Sequence, residues 1–270
     1  MSDSIQLTQK LFIKRYENIM EKFSKRLDDY IADPNEEIIH DIRIAIRRIE
    51  SAHRILPNKI RRMLEIQEYV AETKMLFKIN TQIRDFDIIS VKLGKHGIRY
   101  SELVNHLKNK REIELKHAHR LSIKLKNKPL PKIKKKDLIE KKLNKRFQKV
   151  LTKLIVEIQQ NIPIVIADDK KIEELHKLRK EFKKLRYSLE LISNKAEPSE
   201  SIKSLKKIQD SLGEIHDCDI MLDYLREVKG PNELSDVIRN EIMERREKYQ
   251  QFVQSFHDEK LNPGDLVLQL

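Results

Sequence analysis

His40-Asp-Ile-Arg43-Ile-Ala-Ile-Arg47-Arg48-Ile49 and His176-Lys-Leu-Arg179-Lys-Glu-Phe-Lys183-Lys184-Leu185 are two versions of one pattern. In each, a histidine is followed by Arg at +3 and by cations at +7 and +8. The α-helix advances about 100° per residue, so positions 0, +3 and +7 share a stripe roughly 60° wide. The apolar residues of the first copy, Ile42, Ala45, Ile49 and Ala52, fall on the opposite side, as do Leu178, Phe182, Leu185 and Leu189 of the second. A helix with one apolar and one cationic face, written twice, suits a molecule that holds a polyanion.

Outward from these stretches, the chain reads as helix throughout. Phe12, Tyr16, Ile19, Met20, Phe23 and Leu27 recur at spacings of three and four, which predicts a helix over 5–31. Asp33-Pro34 stops it, because proline disfavours helix at the residue before it. Further helices are predicted over 36–56, ending near Pro57, over 58–92, and over 99–127. Asn127-Lys-Pro129-Leu-Pro131-Lys-Ile-Lys-Lys-Lys136 reads as a solvated linker. Breaks at Pro163, Pro198 and Gly230-Pro231 divide the second half into four helices as well.

The second half echoes the first. Lys14-Arg15-Tyr16 aligns with Lys145-Arg146-Phe147, Arg84-Asp85-Phe86-Asp87 with His216-Asp217-Cys218-Asp219, and Lys110-Arg111-Glu112 with Arg245-Arg246-Glu247. The markers keep their order and nearly their offset. The fold expected is therefore all-α: two four-helix bundles, residues 1–128 and 129–270, from an internal duplication and related by a pseudo-twofold axis around a basic central cavity.

Composition limits the function. Fifty-six Lys and Arg against 43 Asp and Glu give a formal charge of +13, which attracts nucleic acid, anionic surfaces or inorganic polyanions. The single cysteine, Cys218, allows no internal disulfide and argues against a thiolate zinc site. No apolar leader opens the chain and no run reads as a membrane span, so a cytoplasmic, reducing setting is expected. There is no phosphate-cradling glycine loop and no nucleophile–base constellation, so no enzyme, cofactor or metal site is expected.

The paired histidine motifs, His176-x-x-Arg179-x-x-x-Lys183-Lys184-Leu-Arg186-Tyr187 and Gln209-Asp-x-Leu212-Gly213-x-x-x-Asp217 together resemble the CHAD family, the conserved histidine α-helical domain, over nearly the whole chain. That resemblance implies two helical bundles and binding of inorganic polyphosphate through a basic central surface or pore. It also implies an association with polyphosphate-rich bodies. The contacts it implies are His40, Arg43, Arg47, His176, Arg179, Lys183 and Arg186. Glu50 stands where the family usually carries a further Arg, and Arg54 one turn on is a candidate substitute. Lys142, Lys145 and Lys149 form a second basic stripe at helical spacing and join the candidate site. Arg48 and Lys184 sit at the core edge and are expected to brace neighbouring helices through carboxylates.

Other readings compete. Each basic stripe is also what a solvated helix face looks like. Nucleic acid is the serious alternative partner, but the stripes lack interleaved aromatics for stacking. His40-Asp41 and His216-Asp217 invite comparison with metal-dependent phosphohydrolases, yet they occupy non-equivalent repeat positions. Asp85, Asp87, Asp217 and Asp219 suit a hard cation, but the two acids of each pair point about 160° apart on a helix, and pairing with Arg48 or Lys184 is preferred. A membrane-surface role is disfavoured because the stripes oppose ordinary core faces.

Overall fold

A computed structural model describes residues 7–192, 200–228 and 234–258. The helices are α1 (Gln9–Ala32), α2 (Glu36–Ile55), α3 (Asn58–Arg61), α4 (Leu64–Gly94), α5 (Ser101–Lys126), α6 (Glu140–Ala167), α7 (Ile172–Glu190), α8 (Glu200–Glu227) and α9 (Ser235–Asp258), with short 3-10 turns at Ile98–Tyr100 and Lys135–Asp137. Among the described residues there is no strand. The all-α class read from the sequence is the class observed.

Local chemistry sets the helix that carries the first basic stripe. The Asn35 side chain caps α2 by accepting from the Ile38 N–H at 3.0 Å, and Glu36 and Glu37 complement the positive end of the helix dipole. Ile39, Ile42, Ala45, Ile46, Ile49, Ala52 and Ile55 are buried along the opposite face. α1 is capped in the same way, with Thr8 Oγ1 accepting from the Leu11 N–H at 3.2 Å.

Three sequence expectations are corrected. The helix predicted over 58–92 is split, with α3 ending before an extended Met63. In an unbroken helix, residues 60 and 66 would lie about 120° apart; the break lets Ile60 and Ile66 both enter the core. Pro163 does not end a helix but lies within α6. It falls four residues before the helix end, so only the bond its missing N–H would make to the preceding turn is lost, and buried Ile158 and Val165 hold both sides in place. The stretch 127–136 is not a loose connector. Pro131, Ile133 and Leu138 are buried, and Gln9 Nε2 donates to the carbonyls of Lys135, at 2.7 Å, and Leu138. The expected breaks at Pro198 and Gly230-Pro231 lie outside the described residues.

In the first half, α1 packs on α2 and α5, α2 on α4, and α4 on α5; in the second, α6 packs on α7, α7 on α8, and α8 on α9. The halves meet where α2 lies against α7 and α6, and where α4 lies against α8. The core does not divide between them. One cluster runs from Phe12 and Phe23 through Phe147 and Phe182 to Phe252. A smaller one joins Ile89, Leu93 and Leu107 to Met221, Leu225 and Val237. Each fully buried Phe contributes about 1.5–3 kcal/mol relative to exposure, so the junction is held by apolar packing.

α6 is long and apolar enough, by length and composition, to cross a bilayer, which the sequence reading did not anticipate. Its packing is that of a core helix. Leu143, Phe147, Val150, Leu151, Leu154 and Ile158 are buried in the protein, and Lys142, Lys145, Lys149 and Lys153 lie on its other face.

Candidate functional site

The α2–α7 and α4–α8 contacts bring four helices around a cavity of about 260 Å3. α2 supplies Arg43, Arg47, Glu50 and Arg54; α4 supplies Phe77, Arg84 and Asp85; α7 supplies Arg179, Lys180, Lys183, Lys184 and Tyr187; α8 supplies His216 and Asp217. Eight cationic side chains line it against three carboxylates, a formal excess of five.

Five of the sequence-derived candidates, Arg43, Arg47, Arg54, Arg179 and Lys183, meet here. Arg43 is held in place: its Nη1 donates to the Asn80 carbonyl at 2.8 Å, and its guanidinium lies 5.1 Å from the centre of the Phe77 ring. Arg47 sits 4.8 Å from the same ring centre. A ring face attracts cations through its quadrupole, so Phe77 gathers the two arginines without neutralising either. Arg54 Nη1 and Arg179 Nε are buried and have no hydrogen-bond partner. Buried donors are ordinarily paired, and leaving one unpaired costs about 1–3 kcal/mol.

The electrostatics show how far repulsion exceeds compensation. Burial, then Arg179, Arg47 and Arg43, push Lys183 down to about 5. Burial, then Arg47 and Arg84, lower Arg43, and burial, then Arg47, lowers Arg179, although guanidinium keeps its proton at any ordinary pH. Lys183 is thus the group that yields. Burial pushes Asp85 up to about 6, against the opposing effect of Arg43, and raises Asp217 as well. Arg84 approaches Asp217 at 3.7 Å, a loose pair that leaves the excess of cations in place.

The other candidates do not line the cavity. His40 is exposed beside Asp41, Nδ1 to Oδ1 3.7 Å, because α2 turns its first residues past the cavity rim; partial desolvation, then Arg84, lowers its pKa. His176 is drawn into a brace. Its Nε2 is 3.0 Å from Asp219 Oδ2 and 2.9 Å from His216 Nδ1. Arg186 is used locally, with Nη2 donating to Tyr187 Oη at 2.9 Å and the guanidinium 4.6 Å from that ring centre. Lys142, Lys145 and Lys149 stand on the outer face of α6, since its opposite face is committed to the core.

The acidic pairs behave differently from the expectation. Arg48 bonds Glu190 at 3.0 Å, so it braces a helix as read, but Lys184 lines the cavity. Of each Asp pair, one acid faces the cavity, and the other takes an arginine from the following helix: Arg111 Nε to Asp87 Oδ1 at 2.6 Å, and Arg245 Nε to Asp219 Oδ1 at 2.5 Å. The shared role matches Arg111 with Arg245, one position from the alignment that set Lys110 against Arg245. Arg84, Lys180, Lys184, His216 and Phe77 were missed as lining residues. The alignment of Arg84 with His216 was the available signal for two of them.

Among the described residues, two groups carry metal-ligand atoms close together. His176, His216 and Asp219 present theirs within 4.8 Å of one another. A cation there would face Arg179, whose charge, after burial, helps push His216 down to about 2, and Arg245 already holds the second Asp219 oxygen. Cys218, Glu241 and Glu244 form the other group, and Lys92 Nζ fills it, 2.5 Å from Glu241 and 3.1 Å from Glu244. Neither group fits a resident metal as it stands.

The CHAD domain family model matches residues 14–226. The chain belongs to the CHAD family. A crystal structure of the CHAD domain from the plant Ricinus communis superposes with a TM-score of 0.60 at 15% sequence identity, covering 98% of this chain and 95% of that one. At that identity the likeness shows a shared fold. No curated protein matches the chain. Within this CHAD domain, four of the helices that meet between the halves, α2, α4, α7 and α8, carry the cavity.

Proposed function

We propose that this CHAD domain binds inorganic polyphosphate in the cavity between α2, α4, α7 and α8, as a binding module rather than an enzyme. The observation that carries the reading is the formal eight-to-three excess of cationic side chains over carboxylates in a half-open cavity, with Arg54 Nη1 and Arg179 Nε left without partners. A polyphosphate chain carries about one negative charge per unit and has no base to read. It therefore needs repeated charge-assisted donors, each worth about 1.5–3 kcal/mol when partly desolvated. The Arg forks supply planar pairs of donors and the lysines supply adjustable point charges.

Nucleic acid fits less well. Of the two aromatic rings of the lining, Phe77 already carries Arg43 and Arg47, and Tyr187 is buried with Arg186 against it, so the lining is poorly suited to stacking a base. A cavity of about 260 Å3 is also far too small for a duplex. We take the cytoplasm, beside polyphosphate-rich bodies, as the setting of this activity.

The test is thermal unfolding and titration with polyphosphate, in competition with labelled RNA. Polyphosphate should raise the melting temperature, because it binds the folded state alone. It should displace RNA at far lower concentration than the reverse. Arg43→Glu with Arg179→Glu removes two contacts and should weaken binding by about 100-fold or more, at unchanged helicity. An unmoved melting temperature at saturating polyphosphate would overturn the proposal.

A further inference from the structure

The positive charge does not end at the cavity wall. Arg54 lines the cavity from the last turn of α2, about 10 Å along the helix from Arg47. Near it, outside the cavity lining, stand Arg61 of α3 and Arg146 of α6, and Arg146 Nε donates to the Arg54 carbonyl at 3.1 Å. His53 lies within reach of the charges of Arg61, Lys74 and Arg54. Three nitrogens in this cluster, His53 Nε2, Arg54 Nη1 and Arg61 Nε, are buried without a hydrogen-bond partner. Among the described residues, none of Arg61, Arg62, Lys74 and Arg146 makes an ion pair.

The cluster is also short of compensating charge. Burial, then Arg146 and Arg62, lower Arg61; burial, then Arg61 and Lys74, push His53 down to about 4. Glu50 is the one carboxylate that acts on Arg54. Lys142 and Lys149 lie four residues before and three after Arg146, so they share its face of α6 and carry the charge out to solvent.

The geometry points to a second phosphate-binding stretch, continuous with the cavity through Arg54 and formed by His53, Arg61 and Arg146, that takes the part of a polyphosphate chain too long for the cavity. The inference rests on the polyphosphate reading given above and adds a direction and a length dependence to it. A short chain fills the cavity alone. A long one leaves past Arg54, meets Arg61 and Arg146, and runs on along Lys142 and Lys149. It also gives the outer lysines of α6 a role that the cavity does not.

Calorimetric titration of the full chain with tripolyphosphate and with a polyphosphate of tens of units tests this. Arg61→Gln with Arg146→Gln should weaken long-chain binding by about tenfold or more and change tripolyphosphate binding by less than about twofold. The slope of long-chain affinity against salt should fall by about one per cation removed. Lys142→Glu with Lys149→Glu, at exposed positions that leave the fold alone, should show the same selectivity. Equal losses for both ligands, or no loss for either, would overturn the second stretch while leaving the cavity as the binding site. Failure of wild-type protein to bind tripolyphosphate would overturn the cavity reading, and the extension with it.

Discussion

Replacing Lys183 by Met tests whether the cavity stores repulsion. The Lys183 pKa falls from an ordinary 10.5 to about 5, through burial and then Arg179, Arg47 and Arg43. Between those two values the unfolded chain holds a proton that the folded protein has released. The stability of the empty protein therefore rises with pH across that window, by at most about 1.4 kcal/mol per unit from this group. At pH 7 the ceiling on the cost of keeping Lys183 is about 5 kcal/mol; relaxation and water entry reduce it, and we expect about 2–4 kcal/mol. Methionine keeps the apolar stem and removes the charge. Urea denaturation followed by helicity at pH 7 and pH 9, with and without polyphosphate, reads the effect. The empty variant should be more stable than wild type at pH 7, and its advantage should shrink by up to about 3 kcal/mol at pH 9. Polyphosphate should stabilise the variant less than it stabilises wild type. A variant that is less stable at pH 7, or an advantage that ignores pH, would refute the reasoning.

Two further outcomes rest on the ion pairs and the ring. Arg245→Met leaves Asp219, 2% exposed, without its guanidinium and should cost about 3–5 kcal/mol in denaturant unfolding. Arg111→Met, whose partner Asp87 is 22% exposed, should cost less, and equal losses would show that burial does not govern these pairs. Phe77→Leu should weaken polyphosphate binding about 3- to 30-fold by releasing Arg43 and Arg47 from the ring, with helicity preserved; calorimetry measures it, and unchanged affinity would show that the ring does not position them.

The fold class was legible because helix period and apolar stripe agree along α1, α2, α6 and α7, where one face is buried and the other solvated. The His-Arg pattern located Arg43, Arg47, Arg179 and Lys183 for the same reason: wheel position fixes which side of a helix a residue takes. It could not say which residue of a stripe reaches the centre. His40 and His176 share a stripe with their arginines but stand at the ends of α2 and α7 that run past the cavity. α4 and α8 are buried on several sides, so their wheels show no clean face, and Arg84, Asp85 and Asp217 were not recognised as facing the same space. The break at Met63 and the helix running through Pro163 depend on tertiary contacts of Ile60, Ile66 and Val165. Local propensity carries no record of those contacts.

The hydrophobic packing that crosses the junction has a practical consequence for any titration. Because α2 and α7 are fastened through one continuous apolar mass, the crowded guanidiniums have no hinge by which to draw apart. Relief must come from a lost proton or from whatever small anion the solvent supplies. Under the proposed function, chloride, sulfate and orthophosphate should act as placeholders, and an affinity measured for polyphosphate would be an exchange constant against the buffer's own anion. Ranking ligands would be meaningful only in one electrolyte, and acetate should give tighter apparent binding than orthophosphate at equal ionic strength.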